Sequence, residues 1–385
     1  MQLFNSLTGK IEKFKLFKKN VVTIYVCGIT PYDTTHLGHA FVYTSFDVLI
    51  RYLQYKGFKI NYTQNVTDID DDVLKKATEQ KRDWQELGKF WMDKFLNDLK
   101  FLNILMPTHY VKATDSIKKI IEIVSDLSKG GFAYEKQGNV YFEVNKFKDY
   151  GQLSKYTKRQ MLLISKERGS DPSDPNKRDP LDFILWQKAK TGEPFWESPW
   201  GKGRPGWHIE CSAMINTYLG DQIDIHGGGR DLIYPHHESE IAQSESFTGK
   251  KPFVGNWMHI GMVLYEGEKM AKSLGNLVMV SDLSKKYSPN IIRWLLLSHY
   301  YRKPWEFDYS EIEEVREKVM LIEKFLEKSN DSKVNKQYLE AFEEMMDDDL
   351  NTPKALDFVL SLLENQENKI TVEKVLEILG FNFNS

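Results

Sequence analysis

Apolar positions along the chain follow two periodicities that take turns from the start. Residues 21–26, VVTIYV, form a short β-branched run that reads as a buried strand. Phe41, Phe46, Leu49, Tyr52 and Leu53 then recur at helical spacing and predict a helix over about 38–56, with Gly57 as its stop. Residues 58–66, FKINYTQNV, read as a second strand. Strand, helix, strand in this order predicts a βαβ unit and a parallel sheet. Asp83 and Glu86 have the spacing of a capping box before Leu87, Trp91, Phe95 and Leu99, and Pro107 is expected to stop that helix. A further amphipathic helix is expected over 116–129, closed by Gly130 and Gly131, and a strand over 139–144.

Residues 145–206 are rich in Lys, Asp, Pro and Gly and read as an irregular, partly ordered insertion between two halves of a sheet. Strands are expected again at 222–225 and 257–264, with a helix starting near His236 between them. Ser288 and Pro289 form a cap and first turn for a helix over 290–299. Ile312, Val315, Val319, Ile322 and Leu326 mark another; Thr352-Pro353 opens one that runs to about 363, and a last one ends near 379. The expected fold class is α/β, a Rossmann-like parallel sheet with an insertion and a C-terminal helical domain. The expected divisions are 1–106 and 204–264 for the two halves of the sheet, 107–203 for the insertion, 265–310 for a loop-bearing connection and 311–385 for the helices.

Composition narrows the partners. With 385 residues and 41% hydrophobic content there is material for more than one core, and 13% aromatic content argues against disorder. A net charge of −3 gives no global attraction to nucleic acid or anionic membrane. No apolar run nears the ~20 residues that cross a bilayer, and the N-terminus lacks a signal-peptide core, so a cytoplasmic enzyme is expected. The two cysteines, Cys27 and Cys211, are far apart and read as free thiols rather than a disulfide.

Two segments carry candidate chemistry. HLGH, His36 to His39, opens the first long helix, where free N–H groups and the dipole favour an anion; Gly38 lets a nucleotide approach the backbone. EKMAKSLGN at 268–276 places Lys269 and Lys272 where they can neutralise a transferring phosphate. Each alone is more often a turn or a solvated loop. Together, in this order, they resemble the paired signature of class I aminoacyl-tRNA synthetases. Ala271 stands where that signature usually has Ser, which removes a hydroxyl and keeps both lysines.

Longer stretches sharpen the resemblance. Cys27-Gly28, QNVTDIDD at 64–71, RPGWHIECSAM at 204–214 and HGGGRDLIYPHHESEIAQSE at 226–245 are similar to cysteinyl-tRNA synthetases and to the cysteine ligase of mycothiol biosynthesis. The resemblance implies one zinc ion held by Cys27, Cys211, His236 and Glu240. His236 and Glu240, four apart on a predicted helix, share a face, and the donor set suits zinc. His237 and Glu238 are adjacent alternatives. The resemblance also places Thr67 and Trp207 around a cysteine substrate, though both read equally as packing residues; His226 is a further pocket candidate. Gly28, Gly38, His36, His39 and Lys272 complete the expected substrate contacts, with ATP entering with Mg²⁺.

The implied reaction is attack of the cysteine carboxylate on the α-phosphate of ATP. His36 and His39 would hold phosphates, and Lys272 would stabilise the transition state with help from Lys269. A soft metal would separate cysteine from serine, so no editing domain is expected, and residues 107–203 are too few to hold one. Two acceptors remain open: tRNA(Cys), favoured by GEKMAKSLGN, and an amino sugar amine such as glucosaminyl-inositol, favoured by CGITPYDTTHLGHA and ISKERGSDPSDP. A synthetase-like paralogue without catalysis is the third alternative. The anticodon-binding domain typical of cysteinyl-tRNA synthetases is expected to be missing, and the family expectation is a monomer.

Overall fold

The computed structural model describes the chain except residues 33–34, 271–274, 329–332, 365–367 and 384–385. Lys272 and Ala271 lie outside the described residues.

Five parallel strands make the central sheet: β1 (Val21–Ile29), β2 (Lys59–Val66), β3 (His109–Lys112), β4 (Ile223–Gly229) and β5 (Val254–Ile260). Their spatial order is β5-β4-β1-β2-β3. Helix α1 (Leu37–Tyr55) connects β1 to β2, as the apolar spacing predicts. Between β1 and β4 the order reverses direction, and a doubly wound sheet opens its ligand crevice at the carboxyl ends of those two strands.

Alternation along β1 decides which way its side chains go. Val22, Ile24 and Val26 join a core shared with α1 and the C-terminal helices, while Tyr25 and Cys27 join a second core on the opposite face. The second core is built with α2 (Trp207–Tyr218), α3 (Glu238–Thr248) and the insertion. Cys27 is thus aimed by strand parity toward the face that carries Cys211.

Several boundaries differ from expectation for identifiable reasons. Residues 145–206 are irregular over much of their length, as expected, but they also contain the helix Lys158–Glu167 and the strands Phe183–Lys188 and Gly203–Pro205. These strands complete an antiparallel sheet with Ala133–Lys136 and Asn139–Phe142. The expected strand 257–264 is two strands. β5 stops at Ile260, and Val263–Tyr265 belongs to another small sheet, because the chain must turn at Gly261, where a Cβ would lie 2.2 Å from Lys303 O. Asn103, at φ 54°, follows the end of helix Trp84–Phe101 well before Pro107. Asp83 caps that helix by accepting from the N–H groups of Gln85 and Glu86. A hairpin at Gln2–Asn5 and Lys10–Lys13 was not anticipated.

Four helices follow the sheet domain: Tyr309–Lys328, Lys336–Asp347, Thr352–Leu362 and Lys369–Ile378. They pack onto α1 and the helix Pro289–Leu297, which Ser288 caps. A buried ion pair sits at this junction. The Arg293 guanidinium contacts Asp47 of α1 and donates to Leu379 O at 2.7 Å and Leu102 O at 3.0 Å.

Candidate active site and metal centre

β1 ends at a cluster of metal-binding groups. The ligand atoms of Cys27, His236, His237 and Glu240 all lie within 4.8 Å of one another, and all four residues are buried. Cys27 Sγ is 3.3 Å from His237 Nε2 and 4.0 Å from Glu240 Oε1. His236 Nε2 is 2.7 Å from Glu240 Oε1, the one-turn pairing that their spacing predicts. Cys211, on α2, is in hydrogen-bond contact with both Cys27 and His236. Of the four expected ligands, Cys27, His236 and Glu240 fall in this group, His237 joins them, and Cys211 stands in contact with it.

The neighbouring alternatives separate. Glu238 turns away and accepts from the N–H groups of Gly151 at 2.8 Å and Ser154 at 2.7 Å, with Leu153 between them, fastening the insertion to the start of α3. His237 stays, and its Nδ1 meets His259 Nε2 at 2.7 Å. His226 corrects an expectation. It is fully buried, does not line the cavity, and instead holds the other Glu240 oxygen at 2.6 Å while lying against Trp257. Its position on β4, one strand over from Cys27, aims it at α3 rather than at the open crevice.

Electrostatics keeps the cluster poised. Burial pushes the Glu240 carboxyl up, yet the His226 and His236 imidazoles outweigh it and hold the group at about 2. Burial opposes a charge on His236, but Glu240 and Cys211 raise it to about 10. Burial also pushes both thiols up. Cys27 rises well above its ordinary value with Cys211 beside it, whereas its bonds with Cys27 and His236 bring Cys211 down to about 6. Two thiols, imidazoles and a carboxylate in one dry site form a donor set that fits a soft divalent ion, and zinc above all.

One cavity of about 910 Å³ connects this cluster to the start of α1. Cys27, Gly28, Thr67, Trp207, Cys211 and His236 line one end; His36, Gly38, His39 and Lys269 line the other. Trp207 stacks on the His236 ring with centroids 4.5 Å apart. Gly28 is required because a Cβ there would lie 1.6 Å from Asn65 O of β2. At the helix start, Leu37 N–H donates to Val278 O and Gly38 N–H to His36 Nδ1, so these two donors are already engaged. Since His36 Nδ1 accepts, its ring proton is on Nε2, available to an anion. Burial and the nearby His39 push the His36 pKa down to about 2, so the ring acts as a neutral donor.

Sequence reading missed four groups at this site. His208 faces His236 across 3.0 Å, and His259 backs His237. Asp231 and Arg168 join Lys269 at the cavity's far end. HGGGRDLIYPHH contains Asp231 in plain view, but nothing local says which cations it meets.

A family model described as tRNA synthetases class I (C) catalytic domain matches residues 13–317. The chain belongs to the cysteine-type class I tRNA synthetases. Cysteine–tRNA ligase of Legionella pneumophila (strain Corby) is 46% identical over 395 residues, covering 99% of this chain and 85% of that protein. Its counterpart in Methanococcus maripaludis is 45% identical over 387 residues, covering 96% and 80%. Among solved structures, Mycobacterium tuberculosis methionyl-tRNA synthetase with methionyl-adenylate aligns with a TM-score of 0.67 at 15% identity, covering 94% of this chain and 89% of that one. That likeness shows the shared fold. Membership of this synthetase family makes the chain a ligase enzyme, and among its described residues no helix is long and apolar enough to cross a membrane.

Proposed function

We propose that the chain is a zinc-dependent cysteine–tRNA ligase, which activates L-cysteine with ATP and passes it to tRNA(Cys). One observation carries the reading. Two thiols, an imidazole and a carboxylate from separate stretches converge at one end of the cavity whose other end is the start of α1. Similarity to cysteine–tRNA ligases over 97–99% of this chain supports tRNA over an amino sugar amine as acceptor.

Cys27, Cys211, His236 and Glu240 would hold the metal, with His237 beside them. A zinc ion there supplies a soft Lewis acid that prefers the substrate thiolate to a serine hydroxyl. Two thiols, imidazoles and a carboxylate gathered in one dry pocket match the donors a soft divalent ion takes, which supports an ion in this place. Trp207, Thr67 and Gly28 bound the amino acid between the cluster and the nucleotide. His36 offers Nε2–H to a phosphate, and Gly38 leaves room for the nucleotide beside the backbone. Lys269, with Lys272, neutralises charge as the cysteine carboxylate oxygen bonds to the α-phosphorus and pyrophosphate departs with Mg²⁺. The acceptor ribose hydroxyl then displaces AMP. The protein's contribution is position and charge, with no covalent enzyme intermediate.

The test is cysteine-dependent exchange of pyrophosphate into ATP, followed by charging of tRNA(Cys), on protein whose zinc content is measured by plasma mass spectrometry. Exchange with cysteine and not serine, charging, and equimolar zinc are expected. Absence of exchange, or amide formation on glucosaminyl-inositol without charging, overturns the proposal.

A further inference from the structure

At the nucleotide end of the cavity one carboxylate is shared by two cations. Asp231, on the turn that follows β4, presents Oδ2 to Lys269 Nζ at 3.2 Å and to Arg168 Nη2 at 3.0 Å. Lys269 comes from the small sheet beyond β5. Arg168 comes from the insertion, at the C-terminal cap of helix Lys158–Glu167. All three residues line the same cavity as His36 and His39. The trio also lies beside the start of α1, because Asp231 and Lys269 both act on the charge of the His36 ring. Burial pushes the Asp231 carboxyl up, but Lys269 and Arg168 outweigh it and hold the group below its ordinary value.

We propose that Arg168 is a phosphate-binding residue, and that Asp231 is the counter-ion that keeps Arg168 and Lys269 aimed into the cavity until a nucleotide arrives. The proposal rests on the reading of this cavity as an ATP-dependent activation site. One carboxylate against two cations leaves the trio with a net positive charge. The Arg168 and Asp231 side chains are 33% and 31% exposed, and ion pairs this open to water are held weakly. A triphosphate carries several negative charges and many acceptor oxygens, so it competes well for both cations. Arg168 reaches Asp231 through Nη2 alone, to Oδ2 and, at 3.5 Å, to the backbone oxygen. The rest of its planar fork is suited to phosphate oxygens in two-point contact. The insertion then does more than frame the cavity: it contributes a cation beside Lys269, held on the same Asp231 oxygen.

The experiment uses the full chain with α,β-methylene ATP and Mg²⁺, measuring the dissociation constant by calorimetry without cysteine. The KM values for ATP and for cysteine come from pyrophosphate exchange. Loss of one charged hydrogen-bonding group is expected to raise the Arg168→Ala dissociation constant about tenfold. The KM for ATP should rise in parallel, that for cysteine should stay within about twofold, and Arg168→Lys should fall between. Arg168→Gln repeats the measurement should the alanine variant lose its thermal transition. A dissociation constant within about twofold of the parent in both neutral variants overturns the inference. So does an equal rise in both KM values, which marks a merely structural arginine. Absence of exchange in the parent protein strikes the proposed function instead, while the binding measurement still judges Arg168.

Discussion

At the scale of single residues, the metal cluster separates ligands from their supports. Replacing a support leaves the donors in place but frees their orientation. His226→Phe is therefore expected to lower zinc affinity about 10- to 100-fold while binding of an ATP analogue is unchanged, as competition with a chromophoric chelator would report. Replacing a ligand does more. Cys27→Ser and Cys211→Ser should purify with zinc well below equimolar and lose cysteine-dependent exchange, while ATP binding persists; normal zinc in either variant would remove that cysteine from the ligand set. The residues that sequence analysis proposed as ligands were legible because each sits in a stretch that carries the family resemblance, and the four-residue spacing of His236 and Glu240 sets them one turn apart. His226 was misjudged because its three following glycines suggest open space, whereas side-chain direction on a strand depends on what packs across the sheet. Arg168 and Asp231 were invisible because their pairing is tertiary.

At the scale of elements, the insertion is fastened to the metal-bearing turn by Glu238, whose carboxylate accepts from three backbone N–H groups around Gly151 to Ser154. Glu238→Gln weakens several of these bonds at once and is expected to destabilise the chain by about 1–3 kcal/mol in urea titration. A second contact is steric. A Cβ at Gly206 would lie 2.0 Å from Ile184 O, so Gly206→Ala should force the insertion sheet away from α2 and lower the thermal midpoint; an unchanged midpoint would show that this junction gives freely. The first two strands and the helix between them were legible because their apolar periods are long, whereas the four-residue strand His109–Lys112 and the helix Trp207–Tyr218 were not read. The insertion was read as irregular because its Pro, Asp and Gly dominate the composition, while its structural signal is confined to short runs such as 183–188. The break after β5 had only Gly261 as a local signature, and the Lys303 backbone that leaves no room for a Cβ there is far along the chain.

At the scale of the whole molecule, Arg293 joins three parts: α1 through Asp47, the segment after helix Trp84–Phe101 through Leu102, and the last helix through Leu379. Arg293→Ala removes the most buried partner of Asp47 and leaves it Arg51, at 2.9 Å, and is expected to cost about 3 kcal/mol, measured by denaturant unfolding. The helical tail and the sheet domain should lose structure together; independent transitions would show that the junction does not couple them. The class, α/β with a parallel sheet and a helical tail, was readable from periodicity, but this coupling was not, because it rests on one buried arginine whose partners lie far along the chain.

The placement of Cys27, Cys211 and Glu240 on β1, α2 and α3 has a consequence for assembly. No fragment short of both halves of the sheet can gather the donors, so stable ion capture must be a late event during refolding. Recovery of a tightly held metal would then serve as a clock for completed folding, running behind any optical signal from the helices.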